Sequence, residues 1–209
     1  MVKVKICGIT NLEDAKVAAE AGADALGFVF YKKSPRYIKP EKAGAIIKQL
    51  PERLRKVGVF VNAQEKTIKD IAKWSRLDIL QFHGDESPEF CHKFKGYKVI
   101  KAFRIKDKTD LAKILKYKTF AYLFDTFVKS KVGGTGKIFD WKIIKRIMDK
   151  INRPVFLSGG LTKDNVKEAI KTLRPAWVDV SSSVEIKPGK KDHKKVKEFI
   201  KEIKNKAGP

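Results

Sequence analysis

The chain has 209 residues, a formal charge of +23 and 43% hydrophobic residues. That length fits one domain, residues 1–209, with a sizeable core, and no apolar run approaches the roughly 20 residues that span a bilayer. The N-terminus enters a strand-like stretch at once, leaving no room for a signal peptide, and two cysteines, Cys7 and Cys91, make no disulfide framework, so a reducing cytoplasm is the expected compartment.

The lysines are spread through every helical stretch, as in Lys42 to Lys48, Lys142 to Lys150 and Lys194 to Lys204. That spread is expected of solvated helix faces, and it argues against nucleic acid or a membrane as partner. Abundant Lys with few Cys and Met points to a thermophilic source, to be checked by an unfolding midpoint above the mesophilic range.

In chain order, Val2–Cys7 opens with Val2, Val4 and Ile6 alternating against Lys3, Lys5 and Cys7, the period of a strand. Gly8 permits a bend, and Thr10-Asn11-Leu12-Glu13 has the form of a capping box opening a helix. Ala15, Ala18, Ala19 and Gly22 give that helix a small-residue face for packing on a sheet. Further strand candidates are Ala23–Phe30, Lys56–Val61, Asp78–His83, Lys98–Phe103, Phe120–Asp125, Pro154–Ser158 and Ala176–Ser181. Amphipathic segments lie between them. Pro40 suits a first helical turn, Ser87-Pro88 reads as N-cap and N1, and Asp107, Asp140, Thr162 and Asp192 are candidate N-caps.

Eight strands alternating with eight helices at about 20 to 35 residues per unit imply parallel βα pairing. Eight near-equal units without a linker fit an α/β fold of one kind, a single-domain (β/α)8 TIM barrel near its lower size limit. The active site of such a barrel lies at the carboxyl ends of its strands. Those ends read Cys7, then Gln81 and His83, Lys101, Asp125, Ser158-Gly159-Gly160, and Asp179 with Ser181-Ser182-Ser183. Six of the eight apolar strands turn polar at the same end. A cysteine at the first end is either a small core residue or a reacting thiol.

Two of these ends suit a phosphate. Gly159 and Gly160 let backbone N–H groups approach an anion, and Ser181 and Ser182 offer donors after the last strand; these loops are the fold's usual phosphate site. The other reading is that the glycines merely end their strand. Gly133-Gly134-Thr135-Gly136-Lys137 lacks the P-loop pattern, with Lys131 in place of its first glycine and Ile138 in place of Ser/Thr, and reads better as a lid. Arg36, in the loop Tyr31–Tyr37, is either a carboxylate fork or a surface arginine. His83, His92 and His193 make no metal constellation, because His92 and His193 fall on helices; no metal or other cofactor is expected. Cys91 reads as packing.

Together these residues resemble the phosphoribosylanthranilate isomerase family over essentially the whole chain. The resemblance is carried by Lys5-Ile6-Cys7-Gly8-Ile9-Thr10, Gly27-Phe28-Val29-Phe30 with Ser34-Pro35-Arg36-Tyr37-Ile38, and Gln81-Phe82-His83-Gly84. It continues through Phe124-Asp125-Thr126, Gly133 to Trp141, Leu157-Ser158-Gly159-Gly160-Leu161, Val178-Asp179-Val180-Ser181-Ser182 and Pro188-Gly189-Lys190-Lys191-Asp192. It implies an isomerase of tryptophan biosynthesis that performs an Amadori rearrangement on a small phosphorylated aminosugar. Asp125 would be the acid, raised by burial or an anion, and Cys7 the base, made thiolate by positive surroundings such as an inward-pointing Lys5. Arg36 would take the carboxylate, Gly160, Ser181 and Ser182 the phosphate, and His83 and Asp179 would line the sugar pocket. Ser183 stands where the family commonly has glycine, and a positive φ there would strain a serine.

Two alternatives remain on sequence grounds. One is another phosphosugar aldose–ketose isomerase on the same barrel. The histidine-pathway enzyme relies on two carboxylates where Cys7 stands alone here, and ribulose-phosphate epimerase needs metal-binding residues this chain lacks. The other is a basic binding protein without catalysis. Monomer and homodimer are both compatible with the sequence.

Overall fold

The computed structural model describes residues 1–105, 111–125 and 141–204. Strands β1 (Lys3–Cys7), β2 (Ala25–Val29), β3 (Arg55–Phe60), β4 (Ile79–Phe82), β5 (Lys98–Arg104), β6 (Ala121–Asp125), β7 (Val155–Ser158) and β8 (Trp177–Val180) pair in parallel in chain order. β8 closes on β1, with Lys5 opposite Asp179, so the sheet is a closed barrel. The expected strands differ from these by a residue or two at their ends.

Helices α1 (Leu12–Glu20), α2 (Pro40–Ile47), α3 (Glu65–Trp74), α4 (Pro88–His92), α5 (Leu111–Leu115), α6 (Trp141–Met148), α7 (Val166–Leu173) and α8 (His193–Lys204) alternate with the strands. Ser87 caps α4 by accepting from the Phe90 N–H, Pro40 and Pro88 occupy first helical turns, and the Asp192 carboxylate accepts from the Lys195 N–H ahead of α8. Two expected caps are displaced. Asn11, not Thr10, caps α1, accepting from the Asp14 N–H at 2.9 Å, because the Thr10 hydroxyl donates instead to the Gly189 carbonyl. Thr162 closes a separate turn with Asn165, so α7 starts only at Val166. The expected caps Asp107 and Asp140 and the expected lid at 133–137 lie outside the described residues.

The core has two layers. Val4, Ile6, Leu26, Phe28 and their counterparts pack outward against the helices, with Ala15, Ala18 and Ala19 of α1 among their neighbours. Inside the barrel, Ala25, Val57, Ile79, Ile100, Leu123 and Phe156 fill the lumen, and Phe156 stacks on Trp177 at 4.7 Å between centroids. Lumen packing of this kind makes the barrel a solid core rather than a pore. After β8 the chain makes a 3₁₀ turn, Ser182–Val184, and an antiparallel hairpin, β9 (Glu185–Lys187) and β10 (Lys190–Lys191), which the sequence reading does not contain.

Candidate active site

Strand parity decides which side chains reach the mouth of the barrel. Because Val4 and Ile6 face the helices, Lys5 and Cys7 of β1 must face the lumen. Lys5 is fully buried there, and its ammonium donates to Asp179 Oδ1 at 2.8 Å across the β1–β8 seam. Asp179 Oδ2 in turn accepts from the Ser158 hydroxyl at 3.3 Å. One residue further along β1, Cys7 sits beside Gly27 of β2. A Cβ on Gly27 would lie 2.7 Å from the Cys7 sulfur, so the thiol occupies the space a side chain there would need.

The mouth holds a cavity of about 250 Å³. Its walls include Cys7, Arg36, His83 and Asp125, with Asp179, Gly159, Gly160, Ser181 and Ser182 from the last two strand ends. All the site residues expected from the sequence thus meet at one cavity. Lys101 does not join them. It is buried in a separate network, donating to Glu86 at 2.9 Å and to the Gly84 carbonyl at 2.6 Å.

Electrostatics at Cys7 differ from the sequence expectation. Burial pushes the thiol up, opposed first by the Lys5 ammonium, and burial wins. Lys5 shows the converse balance: burial would lower it, but the Asp179 carboxylate and Cys7 hold it above its ordinary value. The cation therefore stays charged beside the thiol. Across the mouth, His83 Nε2 lies 3.7 Å from Asp125 Oδ2. Gln81 Nε2 lies 3.1 Å from His83 Nδ1, and Gln81 Oε1 is buried at the cavity with no hydrogen-bond partner among the described residues.

The loops after β7 and β8 have the features an anion needs. Gly159 and Gly160 both have positive φ, 93° and 69°, which glycine adopts without steric cost. Ser182 and Ser183 open the 3₁₀ turn, where the first N–H groups lack intrahelical acceptors. The Ser181 hydroxyl donates to the Cys7 carbonyl at 3.1 Å, tying β8 to β1. Ser183 is not strained: it is absent from the residues with positive φ, and its hydroxyl donates to the Leu161 carbonyl, linking the two loops.

Sequence reasoning misses two charged residues behind this wall. Glu185 and Lys191, from the hairpin strands, are both buried and paired at 2.9 Å, and Glu185 also holds Arg36. The partners lie 149 residues apart in the chain for Arg36 and Glu185, a separation that leaves no local pattern to read.

Comparison with known proteins places this geometry. The sequence profile of the N-(5′-phosphoribosyl)anthranilate (PRA) isomerase family matches residues 4–202. The N-(5′-phosphoribosyl)anthranilate isomerase of Geobacter sulfurreducens is 52% identical over 204 residues, 98% of this chain and 99% of that protein. The crystal structure of phosphoribosyl anthranilate isomerase from Thermotoga maritima superposes with a TM-score of 0.91 at 50% identity, covering 98% of this chain and 99% of that one. A phosphoribosyl anthranilate isomerase crystallised with reduced 1-(o-carboxyphenylamino)-1-deoxyribulose 5-phosphate gives 0.88 at 48% identity over 98% and 99% of the two chains. The profile match, the identity across nearly the full length and the shared barrel agree, and this chain belongs to the N-(5′-phosphoribosyl)anthranilate isomerase family.

Proposed function

We propose that the chain, working as one barrel domain, converts N-(5-phosphoribosyl)anthranilate to 1-(2-carboxyphenylamino)-1-deoxyribulose 5-phosphate, with Asp125 as general acid and Cys7 as general base. The observation that carries this assignment is the meeting of Cys7, Asp125 and Arg36 with the Gly159-Gly160 and Ser181-Ser182 loops at one cavity. Asp125 protonates the furanose ring oxygen, and the ring opens to a protonated Schiff base. Cys7 then removes the C2 proton, and the electron pair of that bond neutralises the iminium, giving an enol-amine that relaxes to the ketone. No electrons enter or leave, so the chain's own proton donors and acceptors suffice.

The raised thiol fits this order of events. Its proton is held at rest by burial, and the iminium formed on ring opening places a second positive charge near it, beside Lys5, which favours the thiolate when it is needed. Arg36 takes the anthranilate carboxylate, the backbone of Gly159, Gly160, Ser181 and Ser182 takes the phosphate, and His83 and Asp179 line the sugar. Among the described residues no helix is long and apolar enough to cross a membrane. Both cysteines are free, as a reducing cytoplasm would keep them.

The test is turnover of freshly generated phosphoribosylanthranilate, followed by loss of its fluorescence with a chelator present. We expect chelator-resistant turnover. Cys7→Ser and Asp125→Asn should each lower kcat by about 10²–10⁴-fold with KM within a few fold. Near-normal kcat in either variant would remove that residue from its role.

A further inference from the structure

Arg36 is held at both ends. Its stem lies over Gly8, where a Cβ would come within 2.7 Å of the arginine Cδ. Its head is gripped by Glu185, which accepts from Nε at 2.9 Å and from Nη2 at 2.6 Å. This contact uses the side edge of the guanidinium. The end edge, formed by Nη1 and the second Nη2 hydrogen, makes no hydrogen bond among the described residues, and Arg36 lines the cavity.

Glu185 is itself fixed. Its carboxyl is almost fully buried, Lys191 donates to it at 2.9 Å, and the Gly189 N–H donates at 3.3 Å. Burial alone would raise the carboxyl, but Arg36 and Lys191 hold it below its usual range. Lys191 is fully buried and also donates to the Ser181 carbonyl at 3.2 Å. One buried carboxylate thus connects the guanidinium to the turn after β8.

We propose that Glu185 is a positioning and selectivity residue: by occupying the side edge of Arg36, it presents the end edge to the carboxylate of the substrate. A long, rotamer-rich arginine on a loop otherwise loses entropy on every binding event, and a fork-to-carboxylate pair removes that loss in advance. The triad of Arg36, Glu185 and Lys191 carries one net positive charge, so the pairing orients the arginine without cancelling its attraction for an anion. This inference rests on the assignment of the substrate carboxylate to Arg36.

The experiment compares kcat/KM for phosphoribosylanthranilate with that for the analogue made from aniline, which lacks the carboxylate. The unsubstituted protein should prefer the carboxylated substrate by about 100-fold, the scale of charge-assisted hydrogen bonds. Glu185→Gln should cut that preference at least tenfold through KM, while the aniline analogue changes less than about threefold. Glu185→Asp, which keeps the charge at shorter reach, should fall between, and it carries the comparison if the glutamine variant does not fold. A variant that slows both substrates by one common factor, leaving the preference intact, would overturn the proposal and make Glu185 purely structural. An unsubstituted protein that turns over both substrates equally would overturn it differently, by removing the Arg36 assignment beneath it.

Discussion

At the amino end of the barrel, exposed Lys3, Arg53, Arg55 and Lys98 surround a cavity of about 700 Å³; at the carboxyl end, the wall residues Asp179, Arg36 and Ser181 of a cavity of about 250 Å³ are held from behind by buried Lys5, Glu185 and Lys191. The larger space holds the cheaper chemistry. Its cations are hydrated or rest on aromatic faces, as Lys98 does on Phe120 at 4.8 Å and Lys3 on Trp177 at 5.3 Å. The smaller space is framed by ions withdrawn from water, an arrangement costing several kcal/mol per charge before pairing offsets it. Burial of charge separates the two ends more sharply than cavity volume does, although Lys101 and Glu86 form a buried pair outside the cavity.

The contrast is sharpest within β1. Lys5→Met would leave the Asp179 carboxylate buried without its cation and should cost about 4 kcal/mol in denaturant unfolding. Lys3→Met, two residues earlier, removes an exposed cation from Trp177 and should cost under about 1 kcal/mol. Equal losses would break the comparison.

Two glycines separate backbone strain from site geometry. Gly8 has φ +81°, and an alanine there meets both Arg36 Cδ at 2.7 Å and Ser181 Oγ at 3.1 Å. Gly96 has φ +95° on the approach to β5, with nothing within 4 Å of an added Cβ. Each substitution to alanine should cost about 2 kcal/mol of stability, but only Gly8→Ala should also raise KM, by moving Arg36. A KM rise in Gly96→Ala would show that strain alone is felt at the mouth.

A smaller effect is expected from pH. With Cys7 as the proposed base the working form is the thiolate, and burial holds the thiol above its ordinary value, near 8.5 for a free thiol. kcat/KM should therefore still be climbing between pH 8 and 9, by up to about tenfold for a single ionisation. A plateau reached by pH 7 would mean that Lys5 outweighs burial in the working enzyme. Smallest of all, Lys98→Ala should cost about 0.5 kcal/mol and leave kcat/KM unchanged.

Much of this was legible before any coordinates. Strand periodicity and the polar ends of the strands locate the barrel and its mouth, and of the polar strand ends from Cys7 to Ser182 all but Lys101 line the cavity there. Alternation, however, gives a period and not a wet side. Lys3, Lys5 and Cys7 share the parity that faces the lumen, and depth then separates them: Lys3 lies at the open amino end and is exposed, while Lys5 lies inside and is fully buried. The expected Thr10 cap gives way to Asn11 for a related reason: the Thr10 hydroxyl is engaged by Gly189, 179 residues away, and a local motif carries no trace of that competitor. Glu185 and Lys191 lie in strands of three and two residues, too short to show a period. Long-range pairing completes the site, and long-range pairing is what sequence pattern alone does not display.

Those separations also set a schedule. Lys5 and Asp179 are 174 residues apart, as are Cys7 and the serine that binds its carbonyl, while Asp14 waits for Lys191 and His193 across 177 and 179. At 5 to 20 residues per second on a ribosome, the thiol and its cation wait roughly 10 to 35 s for their partners to be made. Through that interval the first strand presents an unpaired edge, an unshielded sulfur and an ammonium with no counter-ion. The seam between β8 and β1 cannot close before Asp179 and Ser181 are made, so the burial of Lys5 waits for the last strand of the barrel.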